Sequence, residues 1–239
     1  MRIIFIVLLS LVWLVAGCRT YPEPSPEKKE VLFRESPLVP EAKAQGVYHT
    51  VKRGETLWRI ARTYGIDLQT LAETNNIIDP TQIKVDQKIF IPGATSLKKV
   101  IIEDKDSFYS PPTIIKRKGE FIWPVEGEVV IRFGVQEGLR HEGIEIAAPL
   151  GTPVKAAQSG VVVFEGNLKG YGNLLIIKHE NDFKTVYAYN QVNLVSAGSK
   201  VKQGEIIAKV GNTGRAPSPR LHFQIRDKDQ ARNPIFFLP

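Results

Sequence analysis

The pattern of apolar and polar positions divides the chain into five segments. Residues 3–15 form an apolar run that is too short to predict a membrane-spanning helix. Residues 46–94 change between strand-like alternation and helical spacing, whereas residues 120–239 carry short β-rich runs separated by glycine. Residues 19–45 and 95–119 are rich in proline and charge, which predicts two tethers without a core of their own.

In residues 46–94 the spacing predicts the order strand, helix, helix, strand. Residues 48–51 alternate as a strand, and Glu55 or Thr56 can cap a first helix that Gly65 ends. Asp67 can cap a second helix, and residues 87–92 form the closing strand. The apolar faces of the two helices are Leu57, Ile60, Ala61 and Tyr64, and Leu68, Leu71 and Ala72.

Residues 120–239 predict an all-β domain, an antiparallel sheet or sandwich, so the fold class of the whole chain is mixed. The domain is long enough to bury one core of its own. The predicted strands are residues 129–133, 154–156, 160–165, 173–179, 185–189, 206–210 and 222–225.

Composition narrows the function classes. The net charge of +7 is spread along the chain and its excess lies mostly in the 95–119 linker, so no nucleic-acid interface is predicted. Cys18 is the only cysteine, which excludes an intrachain disulfide.

The small domain resembles a LysM domain over its whole length. The resemblance is carried by Gly54-Glu55-Thr56-Leu57-Trp58, Asn75-Asn76 and Gln87-Lys88-Ile89-Phe90-Ile91-Pro92. It implies peptidoglycan as the ligand, bound in a shallow groove between two loops. The groove residues that it implies are Gly54, Glu55, Thr56 and Leu57, with Ile77, Ile78, Asp79, Pro80 and Ile83. We expect Trp58 to pack against the core and His49 to point outward from its strand.

The large domain resembles the M23 (LytM-type) peptidoglycan endopeptidases. The family motif H-x-G-x-D reads His141-Glu142-Gly143-Ile144-Glu145 here, and the later H-L-H motif reads Arg220-Leu221-His222. Between them, Tyr187-Ala188-Tyr189 replaces a Y-x-H motif.

The resemblance maps the zinc ligands of active relatives onto His141, Glu145 and His222, and the two catalytic histidines onto Tyr189 and Arg220. Neither phenol nor guanidinium is a base near neutral pH. We therefore expect no catalytic residue and no cofactor, with Arg220 pairing with Glu145 in place of a metal. Two imidazoles and a carboxylate are nevertheless a legitimate zinc set, so residual zinc stays open.

Residues 1–18 resemble a bacterial lipoprotein signal peptide. Arg2 precedes the apolar run, which ends in the lipobox-like Val15-Ala16-Gly17-Cys18. Lipidation of Cys18 would anchor the chain stably to a membrane. Arg19 after the cysteine favours, by family analogy, the periplasmic face of the outer membrane of a Gram-negative cell.

The order of lipid anchor, LysM domain and altered M23 domain resembles the NlpD type of amidase activators. That resemblance implies a non-catalytic protein that binds peptidoglycan and activates a periplasmic N-acetylmuramoyl-L-alanine amidase for septal cell-wall splitting. A monomer is the default expectation, since the sequence carries no signal for an oligomeric state. The groove residues His141, Glu145, Tyr189, Arg220 and His222 would bind the amidase. The alternatives are a zinc endopeptidase that uses Glu145 as a ligand and Tyr189 at the oxyanion, and a tether between wall and membrane.

Overall fold

A computed structural model describes residues 42–102 and 113–239, all of which belong to one compact unit spanning residues 39–239. The predicted signal peptide, Cys18 and nearly all of the first tether lie outside the described residues, as does the middle of the linker. No helix in the described ranges is long and apolar enough to cross a membrane.

The small domain has the predicted order of elements. Strand β2 (Gly46–Thr50) pairs antiparallel with β3 (Lys88–Pro92), and the helices α1 (Leu57–Tyr64) and α2 (Leu68–Thr74) lie between them in the chain. All seven residues predicted for the apolar helix faces are buried. The two strands and two helices therefore enclose one small core.

Local hydrogen bonds set the ends of both helices. The Thr56 hydroxyl accepts from the Arg59 amide at 3.2 Å, so Thr56 rather than Glu55 caps α1. Gly65 ends α1 in the left-handed conformation with φ 70°. The Asp67 carboxylate caps α2 by accepting from the Thr70 amide at 2.8 Å.

The expectation that His49 points outward is wrong. Its side chain is buried, with Nδ1 at 3.1 Å from the Tyr64 hydroxyl and Nε2 at 2.8 Å from Glu55 Oε2. The Glu55 carboxylate also accepts from the Lys52 amide at 2.8 Å. Glu55 therefore links the turn before α1 to the strand instead of capping the helix.

The large domain is built on one antiparallel sheet. Its strands run in the order β13, β9, β10, β11, β15, β7 and β4, with β16 also pairing with β15. Their bounds are β4 (Glu128–Ile131), β7 (Ile144–Ala147), β9 (Gly160–Leu168), β10 (Gly172–Lys178), β11 (Phe183–Asn190), β13 (Lys200–Val201), β15 (Arg220–Asp227) and β16 (Gln230–Arg232).

Two smaller sheets complete the domain, and every strand pair in them is antiparallel. They are β12-β14-β8 and β1-β6-β5. Their bounds are β1 (Ala42–Lys43), β5 (Gly134–Gln136), β6 (Leu139–His141), β8 (Pro153–Lys155), β12 (Val192–Asn193) and β14 (Ile206–Lys209). The predicted mixed fold class, a small βααβ domain followed by an antiparallel β domain, is confirmed.

Aromatic side chains form part of the core of the large domain. The rings of Phe121, Phe183 and Phe237 lie within 5.7–6.1 Å of one another, centre to centre. Tyr187 is fully buried, and its hydroxyl accepts from the Ala157 amide at 2.8 Å. Burial of aromatic rings of this size supplies much of the stability of such a core.

A buried ion pair joins the two domains. Arg232 of β16 donates from Nη2 to Glu73 Oε1 at 2.7 Å and from Nε to both carboxylate oxygens at 3.0–3.1 Å. The Asn233 side chain donates to the Glu73 carbonyl at 3.0 Å and to Asn76 Oδ1 at 2.9 Å. Since Glu73 is only 3% exposed, its charge depends on these partners.

The two domains are also in close contact through their backbones. A Cβ atom added to Gly134 of β5, where φ is +102°, would overlap the carbonyl oxygen of Thr74 at the end of α2. Asn76 donates to the Phe133 carbonyl at 2.8 Å. Helix α2 therefore rests directly on the β5–β6 hairpin.

We predict that Glu73→Gln lowers the thermal unfolding midpoint Tm by about 6–12 °C. The substitution removes the buried anion from Arg232, which keeps only the more exposed Asp227 at 3.0 Å, and breaking one side of a buried pair costs about 3 kcal/mol. Circular dichroism of the full chain in detergent measures the effect. The matched control is Glu120→Gln, whose pair with Arg117 is about 40% exposed on both sides and whose loss changes Tm little. Equal shifts for the two variants would contradict the role of Glu73.

Candidate functional site

Three adjacent strands bring the predicted groove residues together. His222 on β15 lies opposite Glu145 on β7 and opposite Ala188 on β11. Arg220 comes two residues before His222, on the same face of β15, and Tyr189 follows Ala188. The antiparallel register therefore gathers three of the other predicted groove side chains around Glu145.

Glu145 is the centre of this cluster. Its Oε2 accepts from Arg220 Nη1 at 2.8 Å and its Oε1 accepts from the Tyr189 hydroxyl at 3.2 Å. The Glu145 side chain is 9% exposed and that of Arg220 13%. The predicted pairing of Arg220 with Glu145 is thus confirmed, and it is a buried, charge-assisted contact.

The surroundings of Glu145 keep its carboxyl ionised. Burial raises the pKa of this group, but the His222 ring and the Arg220 guanidinium outweigh burial and lower the pKa to about 2. The carboxylate therefore carries its negative charge at every physiological pH.

Tyr189 reaches Glu145 from a strained backbone position. Its φ of +68° lies in the left-handed region, which a bulky residue rarely adopts and which costs on the order of 1–3 kcal/mol. Burial, together with the nearby Glu145 charge, raises the pKa of the Tyr189 phenol to about 12. The phenol is consequently a hydrogen-bond donor here and not a base.

The imidazole of His222 has further neighbours besides Glu145. The Gln224 amide nitrogen lies 2.9 Å from His222 Nε2, and the rings of Tyr171 and Tyr189 each lie 5.4 Å from the imidazole centre. An amide that donates to Nε2 leaves the proton on Nδ1. That buried Nδ1 has no hydrogen-bond partner and lies 3.7 Å from Glu145 Oε1.

Ser218 and Arg226 belong to the same surroundings, although the sequence did not single them out. The Ser218 hydroxyl accepts from Arg220 Nη2 at 2.6 Å and so aims the guanidinium at Glu145. Arg226 donates to Gln224 Oε1 at 3.0 Å and to Glu142 Oε2 at 3.1 Å. Because side chains alternate along a strand, residues 220, 222, 224 and 226 of β15 lie on one face. This two-residue period in the sequence could have identified Arg226 as a neighbour of the groove.

His141 is buried at the end of β6 and lines a neighbouring cleft between the two domains. The hairpin partner Gly134 lies opposite it. The structure therefore places His141 in the hairpin, where it lines this cleft.

The predicted glycan-binding residues fall into two groups. The Leu57 and Ile77 side chains are buried in the LysM-like core, so only their backbone groups face a groove. Asp79 forms a turn by accepting from the Thr81 amide at 2.9 Å, and Ile78 is exposed. Trp58 packs against the core, as predicted, with Arg62 5.3 Å above its ring. The part that these residues play in glycan binding stays a prediction.

The first part of the linker lies against the same domain. The Lys98 amide donates to the Tyr64 hydroxyl at 2.9 Å, and Val100 is buried in the core. A Cβ atom on Gly54 would lie 3.0 Å from the Ile102 side chain. This half of the linker is therefore packed and is not the core-free tether that its composition predicts.

Comparisons with known proteins agree with both domains. Residues 49–92 match the LysM domain model and residues 139–234 match peptidase family M23. The lipoprotein YgeR of Escherichia coli is 42% identical over 81% of this chain and 82% of its own length. The murein hydrolase activator NlpD of Escherichia coli is 32% identical over 84% of this chain and 70% of its own. The chain belongs to the NlpD family.

Members of this family combine a LysM domain with an M23 domain, and the function of this NlpD relative is related to peptidoglycan. Its relatives are named lipoproteins of Gram-negative bacteria, which is consistent with a place in the cell envelope. Among solved structures, a zinc-containing peptidase from Vibrio cholerae is 30% identical, with a TM-score of 0.46 over 48% of this chain and 39% of that chain.

The M23 family implies a zinc ion, but the groove residues do not fit one. The Gln224 contact leaves the proton on His222 Nδ1, so that nitrogen offers no lone pair to a metal, and Glu145 is already bound by a guanidinium at 2.8 Å. A fixed cation at that distance opposes a second, divalent cation on the same carboxylate. Within residues 42–102 and 113–239, no three His, Cys, Asp or Glu side chains are grouped for metal binding.

We predict that the stability of the chain depends on Glu145 ionisation. Because the folded pKa is depressed, the unfolded state binds more protons, so this stabilisation is present above pH 4.5 and is lost as pH falls towards 2. Glu145→Gln should be less stable than the natural chain at pH 7, and that difference should shrink by about 3 kcal/mol by pH 2. Urea unfolding at both pH values measures it, with the exposed Glu128→Gln as control. A difference independent of pH would count against the ion pair.

Proposed function

We propose that this chain is a non-catalytic envelope lipoprotein that binds peptidoglycan and activates a periplasmic N-acetylmuramoyl-L-alanine amidase. The observation that carries the proposal is the Arg220–Glu145 ion pair, 2.8 Å long and buried. A guanidinium in place of a metal removes the Lewis acid that would polarise an amide carbonyl, and the activated water with it.

The remaining side chains support the same reading. The Tyr189 phenol, with its pKa raised to about 12, and the Arg220 guanidinium take the family's two histidine positions and cannot accept a proton at neutral pH. What stays is a groove with fixed donors and buried charge, which suits recognition of a partner.

The groove would act by binding a segment of the amidase. Activation follows when that binding favours the amidase conformation with an open active site, and its size is limited by the difference in affinity for the two conformations. The residues we assign to partner binding are His141, Glu145, Tyr189, Arg220 and His222.

The other parts of the chain would hold the activator at its place of action. Lipidated Cys18 would anchor a monomer to the periplasmic face of the outer membrane, and the LysM loops at residues 54–57 and 77–83 would bind glycan. Both contacts raise the local concentration of the groove at the septal wall during daughter-cell separation.

Hydrolysis of dye-labelled peptidoglycan tests the proposal. We expect no release by the purified chain alone, release by the amidase, and at least fivefold more release when both are present, which lies at the low end of allosteric coupling. Arg220→Ala should abolish most of the stimulation, whereas Lys209→Ala, an exposed strand position, should leave it intact. Release by the chain alone that a chelator abolishes would establish a peptidase instead.

Metal analysis gives an independent check. The chain dialysed against zinc should hold a substoichiometric amount, since Arg220 occupies the carboxylate. The double substitution Glu145→Asp with Arg220→His removes the cation and restores the shorter acid, so we expect it to bind zinc far more tightly. Stoichiometric zinc in the natural chain, measured by plasma mass spectrometry, would refute the assignment of Arg220.

A further inference from the structure

A cleft of about 400 Å³ lies between the LysM domain and the β5–β6 hairpin, beside the groove. Three separate stretches of chain form it: residues 43–45 before the LysM domain, helix α2 with the end of β3, and the hairpin itself. Its volume is within the range of sites that hold small ligands or short peptides.

The walls of the cleft are fixed by hydrogen bonds. The Gly93 amide donates to the Gln45 carbonyl at 2.9 Å, and the Ala44 amide donates to the Gly138 carbonyl at 2.8 Å. The Asn76 contact to the Phe133 carbonyl holds the end of α2 to the hairpin, and the Glu73–Arg232 pair holds α2 to β16. The cleft is therefore preformed, and binding in it costs little ordering of the protein.

The chemistry of the cleft is cationic at the rim and apolar within. Lys43 and Arg140 are exposed beside it, and Phe90 and Phe133 contribute buried rings. Among the residues that the structure describes, no aspartate or glutamate lines the cleft. Arg140 has Glu142 at 3.5 Å, but its side chain is 55% exposed, so that contact is weak and leaves donors for a ligand. This arrangement selects a ligand with carboxylates and small apolar groups.

We propose that this interdomain cleft binds the stem peptide of peptidoglycan, a short peptide that carries alanine methyl groups and several carboxylates. The inference deepens the proposed function, because it rests on the LysM domain holding the glycan from which such a stem extends. The methyl groups pack on Phe90 and Phe133, and the carboxylates meet Lys43 and Arg140. A single protein chain would thus bind the glycan and the stem peptide at the same time, next to the groove.

Calorimetric binding to the full chain in detergent tests the cleft with three probes: chitotetraose, a disaccharide-tetrapeptide muropeptide, and the free tetrapeptide. The double substitution Lys43→Glu with Arg140→Glu should weaken binding of both peptide-bearing probes at least tenfold and leave chitotetraose unchanged. The matched control, Lys200→Glu with Lys209→Glu, makes the same charge change on exposed strands outside the cleft and should alter none of the three.

A second variant, Val135→Trp, fills the cleft without changing charge and should also lose the two peptide-bearing probes. The proposal is overturned if the natural chain does not bind the free tetrapeptide and holds the muropeptide no more tightly than chitotetraose, or if both cleft variants bind as the natural chain does. Binding of the free tetrapeptide without binding of chitotetraose would support the cleft while rejecting glycan recognition in the proposed function.

Discussion

The carboxylate of Glu145 is the charge around which the groove is organised. A carboxylate that is 9% exposed needs a cation or several donors, since the desolvation of an ion costs several kcal/mol. Arg220 supplies the cation, Tyr189 a second donor, and Ser218 orients the guanidinium. The contents of this pocket therefore follow from one requirement, which is to neutralise a buried acid on β7, the strand next to the edge of the sheet.

The same requirement is met a second time at the junction of the domains. Glu73 is only 3% exposed because α2 packs against the β domain. Arg232 makes three donor contacts to its carboxylate. A LysM domain on a flexible linker would sample many orientations relative to the groove. Here the ion pair, Asn233 and the β1–β6 pairing fix the LysM domain in one orientation relative to the groove.

The parts of the fold that depend on neighbours in sequence were predictable. Thr56, Gly65 and Asp67 set the helix ends because capping is a contact within three or four residues, and glycine-separated β-branched runs indicated the antiparallel sheet. The Arg220–Glu145 pair was also foreseen, because motif spacing put both residues in one pocket. His49 was misjudged, since strand alternation does not reveal that Glu55 and Tyr64 converge on its ring.

What could not be predicted are contacts between distant segments. Glu73 and Arg232 are 159 positions apart, and the sequence around either residue does not indicate that the two are in contact. The contacts of the linker could not be predicted either. Its basic composition is typical of a solvated tether, although Val100 is buried and the Lys98 amide donates to the Tyr64 hydroxyl. The composition of a segment indicates only how much apolar surface that segment can bury by itself. A few apolar residues are enough to hold a segment in place when a neighbouring domain provides the rest of the core.

The two buried acids also differ in a way that bears on function. Glu73 accepts from Gln69 of its own helix and from Arg232 and Asn233 of the large domain, so both of its carboxylate oxygens have donors. Glu145 draws on three strands and has beside it an imidazole nitrogen without a partner. An unsatisfied buried donor is costly, on the order of 1–3 kcal/mol, and a protein retains it where a ligand supplies the acceptor. In the function proposed above, a carbonyl or carboxylate of the bound partner would supply an acceptor to His222 Nδ1.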